Sequence, residues 1–99
     1  MSQMGKAELK VPGGKLLRAL STVKEGRIEE VRITGDFFMH PEEAINKLER
    51  RLKGVPSDEE SIRRIVEVFF KSVAPTVLGA ASNDFAEVIL RSISEAASQ

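Results

Sequence analysis

Two glycines stand directly before a lysine in Pro12-Gly13-Gly14-Lys15, and this segment has the residue types best suited to holding a ligand. Glycines let backbone amides approach a ligand closely, and the ammonium group adds positive charge, which suits a phosphate or a carboxylate. The segment is not a P-loop, because the GxxxxGK[ST] spacing is missing and a predicted strand follows instead of a helix. Two interpretations stay open: a plain hairpin turn, or a contact with an anion or a partner.

A second segment, Gly35-Asp36-Phe37-Phe38, places two aromatic side chains between a predicted strand and a predicted helix. Gly35 is expected to allow a bend or a close backbone approach. Asp36 is expected to accept backbone amides in a tight turn. Phe37 continues the apolar face of the strand and is predicted to be core. Phe38 points the other way, so it either seals another part of the core or contacts a partner.

The sequence offers no set of residues suited to catalysis or metal binding. It contains no cysteine, which excludes disulfides, thiolate zinc sites, iron–sulfur ligation and thiol catalysis. His40 is the only histidine, and a general base would need a positioned partner, so we predict a turn or helix-capping residue. Glu42 and Glu43 suit the positive end of a helix dipole. We therefore predict no catalytic residue and no metal ligand.

Length and charge indicate one small domain with an uneven charge distribution. The chain has 99 residues, predicted as a disordered N-terminus over 1–5 and a single domain over 6–97. Fifteen basic and fifteen acidic side chains cancel, which argues against a nucleic-acid binder. Residues 1–24 carry five cations and one carboxylate, whereas residues 55–99 are net acidic. No membrane span or signal pattern is visible, so a cytoplasmic location is expected.

The N-terminal third is predicted to form a three-stranded antiparallel meander. Apolar and polar residues alternate with the period of two that is typical of half-buried strands. Pro12-Gly13-Gly14 and Glu25-Gly26 separate the segments as turns. The three predicted strands cover residues 6–11, 15–24 and 27–34.

The remaining sequence is predicted to form three helices. The first begins at Pro41 and ends at Gly54, which supplies the C-cap. Ser57 and Glu60 form a capping box for the second helix, which runs to about Ser72. A loop over residues 73–81 precedes a last helix that begins near Ser82. Strands followed by helices predict an α+β fold with the helices packed on one face of the sheet.

The segments Lys10–Arg18 and Ile33–Phe38, followed by a proline–glutamate helix start, resemble the accessory domain of lipoate–protein ligases. In many bacterial ligases this domain is the C-terminal part of one chain, and in some archaea it is a separate small subunit of similar length. The resemblance implies a fold similar to the SufE/NifU-like scaffold of iron–sulfur assembly proteins. Those proteins use cysteines, and their absence here argues against that function.

The resemblance also implies a function. The chain would be the non-catalytic accessory subunit of a two-chain ligase, in a heterodimer with the catalytic subunit. Both would be required for ATP-dependent activation of lipoate to lipoyl-adenylate, before transfer to a lysine of an acceptor domain. The complex would use ATP, Mg²⁺ and lipoate, with none bound by this chain alone. The catalytic lysine belongs to the large subunit, so Lys15 is not that lysine.

The basic hairpin is the predicted docking end, because the positive charge of the chain is concentrated there. Two other functions stay open: a small anion-binding or interaction scaffold without a ligase role, and a structural domain that forms a homodimer through an exposed sheet edge. The residues predicted to contact a partner or its nucleotide loops are Lys10, Gly13, Gly14, Lys15, Arg18, Asp36 and Phe38.

Overall fold

An antiparallel sheet of three strands forms one layer of the molecule. The computed structural model describes residues 2–98. Its first three strands are β1 (Gln3–Lys10), β2 (Leu16–Lys24) and β3 (Arg27–Gly35), hydrogen-bonded in the order β1-β2-β3. The predicted three-stranded antiparallel meander is therefore confirmed.

One face of this sheet is apolar because buried residues alternate along the central strand. Leu17, Ala19 and Val23 of β2 are buried there, as the sequence pattern predicts. β3 departs from strict alternation at a bulge, because Thr22 pairs with Glu30 whereas Val23 pairs with Ile28. The extra residue lets Ile28 join Val31 and Ile33 in the core, which a period of two could not predict.

Three helices lie on the apolar side of the sheet, as predicted. They are α1 (Ala44–Leu52), α2 (Glu59–Ser72) and α3 (Ser82–Ala97). α3 packs on β1 and β2, α1 packs on β3, and α2 lies against the two other helices. Within residues 2–98, none of these helices has the length and apolar character needed to cross a bilayer.

Two helices begin later than the sequence predicts. α1 begins at Ala44 instead of Pro41, because Pro41 to Glu43 form a turn in which the Ala44 N–H donates to the Pro41 carbonyl at 3.0 Å. The N-cap of α2 is Asp58 instead of Ser57: its carboxylate accepts the Ser61 N–H at 2.9 Å and the Ser61 hydroxyl at 2.8 Å. An extended backbone at Asp58 aims its side chain at the first turn, so it displaces the predicted capping box.

The prediction of a disordered N-terminus over residues 1–5 is wrong for residues 3–5. β1 begins at Gln3, which pairs with Val23, and Gly5 is buried against α3. Pairing with β2 along the whole strand holds this segment in place. Met1 lies outside the described residues.

A second, small ladder was not predicted. β4 (Phe38–His40) and β5 (Thr76–Leu78) form an antiparallel pair within segments predicted as a helix approach and a loop. Three-residue strands are too short for periodicity to reveal. His40 therefore ends a strand opposite Thr76 and does not cap a helix.

Candidate functional site

The predicted glycine turn is fastened to a distant loop. The Gly14 N–H donates to the Val11 carbonyl at 2.8 Å, and the Val11 N–H donates to the Lys15 carbonyl at 3.1 Å, which closes the hairpin. The Lys15 N–H donates to the carbonyl of Gly79, in the loop between β5 and α3, at 3.2 Å. The turn is consequently a fixed surface feature.

Small residues are required on both sides of this contact. A Cβ on Gly14 would lie 2.6 Å from the Gly79 carbonyl oxygen, and Gly79 itself has φ +98° with the Lys15 side chain against it. The sequence analysis placed position 79 only within the predicted loop over residues 73–81 and missed this role. Nothing local in the sequence marks a pairing between residues so far apart along the chain.

Gly35 and Asp36, at the end of β3, contact the same hairpin from the other side. Gly35 has φ +150°, and a Cβ there would overlap the Leu16 carbonyl oxygen, so the predicted close approach is found. The Asp36 N–H donates to that carbonyl at 3.0 Å. The prediction for the Asp36 carboxylate is wrong, because no residue in the described range 2–98 donates a hydrogen bond to it. The backbone of Asp36 makes the contact instead.

The hydrogen bonds therefore bring three segments together, residues 11–15, 35–38 and 78–79, which we call the glycine end. Phe37 points inward and meets the Phe85 ring edge-on, with centroids 5.1 Å apart, so it packs against the core as predicted while staying half-buried. Phe38 is 52% exposed and pairs across the ladder with Leu78, which is 62% exposed. Phe38 does not seal the core; together with Leu78 it forms an apolar pair in solvent.

The three cations predicted to contact a partner, Lys10, Lys15 and Arg18, do not all lie at the glycine end. Lys15 lies in the glycine end, Lys10 ends β1 just before it, and both side chains are exposed. Arg18 instead forms an ion pair with Glu8 at 2.7 Å across β1 and β2. Arg18 is therefore neutralised on the sheet and is not part of the glycine end.

The arrangement suits contact with a protein surface better than capture of a small anion. The amides of Gly14 and Lys15 already donate to carbonyls, so the turn lacks the converging free amides of an anion-binding nest. No cluster of three or more possible metal ligands occurs within the described residues. An exposed apolar pair fits the centre of a protein interface, and the exposed lysine beside it fits the polar rim.

Comparison with known proteins gives a consistent result. The family model described as the bacterial lipoate protein ligase C-terminus matches residues 6–89. A relative from Thermoplasma acidophilum, named lipoate-protein ligase A subunit 2, is 36% identical over 74 residues, which span 75% of this chain and 76% of the relative. A chain in a solved structure of an archaeal lipoylation system, described as a bi-partite lipoate protein ligase and its E2 lipoyl domain from the same organism, superposes with a TM-score of 0.80. That match has 31% identity and covers 90% of this chain and 97% of the other.

Proposed function

This chain belongs to the family of lipoate protein ligase C-terminal domains, and we propose that it is the accessory subunit of a two-chain ligase, required together with a catalytic subunit to activate lipoate as lipoyl-adenylate. The observation that carries the proposal is the family match over residues 6–89 combined with likeness to a separate ligase subunit along most of both chains.

We further propose that the glycine end docks on the catalytic subunit. The two segments that carry the sequence resemblance meet there, although they lie apart along the chain. Burial of the Phe38–Leu78 pair would supply apolar interface area, and Lys15 would favour an acidic rim on the partner. Because Gly79 holds the turn in place, little conformational entropy would be lost on docking.

The docked subunit would act on the reaction through the partner's loops. ATP, Mg²⁺ and lipoate would be held by the catalytic subunit, in keeping with a glycine turn whose Gly14 and Lys15 amides already donate to carbonyls of this chain. Covering that site would exclude water and fix hydrogen-bond donors around the reacting α-phosphate, which favours the transition state of adenylation. The lipoyl group would then pass to a lysine of an acceptor domain.

The decisive experiment is a lipoate-dependent pyrophosphate-release assay with each chain alone and with both together. We expect adenylation with the mixture and none with this chain alone. Adenylate formation by this chain alone would contradict the proposal. A catalytic subunit whose activity is unchanged by this chain, and which does not bind it in gel filtration, would contradict it equally.

Substitutions at the glycine end test the docking surface. Phe38→Ala should weaken the complex by about tenfold or more, because it removes the exposed aromatic anchor. Lys15→Ala should weaken the complex less than Phe38→Ala does. The effect of Lys15→Ala should be larger at low salt than at high salt, because salt screens the attraction to an acidic rim. Both effects are measured as the concentration of accessory subunit that half-saturates adenylation.

Val68→Ala on α2 is the matched control, because Val68 is 51% exposed but lies outside the glycine end. Equal effects of Phe38→Ala and Val68→Ala would remove the glycine end from the interface. Gly14→Val is a poor probe, because the new side chain would collide with the Gly79 carbonyl and displace the loop.

A further inference from the structure

The two edge strands of the main sheet differ in whether other parts of the chain hydrogen-bond to their outer backbone groups. β3 is covered by its own chain: the Gly54 N–H donates to the Ile28 carbonyl at 2.7 Å, and the Ile28 N–H donates to the Val55 carbonyl at 2.9 Å. Farther along, the Glu49 carboxylate accepts the Ile33 N–H at 2.8 Å. β1, at the other edge, receives no comparable cover from the described residues.

The register shows which backbone groups of β1 face outward. Val11 and Lys15 are a hydrogen-bonded pair, and such pairs alternate with non-bonded ones in an antiparallel ladder. The odd residues of β1 therefore bond to β2. The backbone groups that point away from the sheet belong to Met4, Lys6, Glu8 and Lys10, and no residue in 2–98 hydrogen-bonds to them.

The opposite side of β2 supports this assignment. The Leu16 carbonyl accepts the Asp36 N–H, so the backbone of Leu16 points toward β3. Ile33, on β3, directs its N–H to Glu49 and hence away from β2. If the odd residues of β2 bond to β1, the even residues of β2 must bond to β3 and the odd residues of β3 after the bulge must face outward. The bonds of Leu16 and Ile33 agree with this. The outer edge of β1 thus presents a regular row of unpaired donors and acceptors.

The side chains along this row carry a charge pattern that discriminates between partners. Lys6, Glu8 and Lys10 are exposed, and Met4 is 55% exposed. An open edge can add a strand from another chain, and edge lysines ordinarily oppose this by repulsion. Here the repulsion depends on register, because the exposed carboxylate of Glu8, which also pairs with Arg18 of β2 in the same chain, stands between the two lysines.

We propose that the β1 edge binds a second copy of this chain, with the two β1 strands antiparallel about a two-fold axis at Ala7. In this register the outward-facing backbone groups of both strands form hydrogen bonds. Lys6 of each copy lies opposite Glu8 of the other, which makes two opposite-charge pairs. The two sheets join into one continuous sheet.

Neighbouring registers are disfavoured by charge. A shift of two residues toward the N-terminus places Lys6 opposite Lys6. A shift of two residues toward the C-terminus places Lys6 opposite Lys10 and Glu8 opposite Glu8. Like charges directly opposite are destabilising, so the pattern selects a single register along most of the strand. This self-complementarity is the reason to name a second copy as the occupant.

The dimer edge and the glycine end share no residue, and Lys10 at the end of β1 directly precedes the glycine end. The two proposals can therefore fail independently. A dimer at the edge would leave Lys15, Phe38 and Leu78 available, so that one dimer could hold two catalytic subunits.

The test uses the full chain in sedimentation equilibrium over a wide concentration range. We expect the wild type to dimerise and both Lys6→Glu and Glu8→Lys to dimerise about tenfold or more weakly, because each replaces both attractive pairs by repulsive ones. An equimolar mixture of the two variants should recover the dimer. In the mixed dimer the glutamate introduced at position 6 faces the lysine introduced at position 8, and the unchanged Glu8 of one copy faces the unchanged Lys6 of the other. Lys53→Glu, an exposed charge reversal outside the edge, should dimerise like the wild type.

Circular dichroism on each variant checks that the fold is retained. A wild type that stays monomeric at every concentration would overturn the proposal. So would a dimer that is insensitive to Lys6→Glu, or a mixture of the two variants that fails to associate. If Lys6→Glu instead abolishes binding to the catalytic subunit while the wild type is monomeric, the edge belongs to that subunit and the second-copy proposal is wrong. A variant, Lys6→Glu or Glu8→Lys, that loses the dimer but still supports adenylation with the catalytic subunit would support the dimer proposal independently of the docking surface.

Discussion

Among single residues, a buried pair of hydroxyls shows how the sheet and a helix are matched. Ser21 and Ser92 are both fully buried, with their oxygens 2.6 Å apart. The Ser92 hydroxyl donates to the Ile89 carbonyl at 2.7 Å, so its only proton is used and Ser21 must be the donor to Ser92. Both groups are satisfied, and small polar side chains can therefore lie inside the core without penalty for an unmade hydrogen bond.

Asp58 gives a pH dependence at the same scale. The Ser61 N–H and then the Ser61 hydroxyl bind the carboxylate and hold the pKa of Asp58 below its usual range. A lowered pKa contributes stability above the unfolded-state pKa, and this stability is lost as the pH falls through the folded-state value. The stability advantage of wild type over Asp58→Ala should be full at pH 7 and should shrink below about pH 4.

Urea unfolding of both proteins across this pH range measures that difference. Asp36→Ala is the control, because no described residue donates a hydrogen bond to the Asp36 carboxylate. A difference between wild type and Asp58→Ala that persists unchanged down to about pH 2 would show that the cap does not depend on the charged carboxylate.

At the scale of elements, the position of α3 on the sheet depends on one small residue of β1. A Cβ on Gly5 would overlap the Ser92 carbonyl oxygen and the backbone of Ala96. The backbones of β1 and α3 therefore approach more closely than any side chain at position 5 would allow. This contact also explains why the strand begins before the alternating segment from which it was predicted.

Gly5→Ala should consequently lower the free energy of unfolding by about 1–3 kcal/mol, because α3 must move away from β1. Met4→Ala, at the exposed neighbouring position, should change it by less than about 0.5 kcal/mol. Guanidinium denaturation followed by circular dichroism compares the two variants. A wild-type midpoint for Gly5→Ala would mean that the close approach does not hold in solution.

At the scale of the whole molecule, aromatic contacts connect the glycine end to the helical layer. Phe37 meets Phe85, Phe85 lies 5.5 Å from Phe70, and Phe70 meets Phe69 at 5.2 Å between ring centroids. Arg51 of α1 lies over the Phe69 ring. Phe38 is the one phenylalanine of the five that makes none of these ring contacts. The core thus fixes the backbone from which Phe38 projects.

Phe85→Leu and Phe69→Leu separate stability from function at this scale. Both rings are fully buried, so each substitution should lower the free energy of unfolding by about 1–2 kcal/mol. Of these two rings, Phe85 is the one that contacts Phe37, so Phe85→Leu should also reduce adenylation by the two-chain mixture, measured at a temperature where both variants are folded. Equal adenylation by the two variants would contradict a link between the cluster and the glycine end.

The sequence predicted those features that depend on local patterns of residue type. Alternation indicated the three strands and their inward residues, and proline, glycine and capping residues indicated the three helices. Two of the three segments of the glycine end were recognised from residue type, because glycine before lysine and glycine before an aromatic pair limit what the backbone can do. Family resemblance added the function, which the residue chemistry did not indicate.

Only the tertiary structure decided how distant segments meet. The β4–β5 ladder, the bond from Lys15 to Gly79 and the approach of Gly5 to α3 join residues far apart in the chain, so no local pattern encodes them. The bulge at Glu29 and the choice of Asp58 over Ser57 as cap were settled by backbone direction within the packed fold. Periodicity records which face of an element is apolar, whereas the partner of that face is fixed by packing and by hydrogen bonds that form only when the chain has folded.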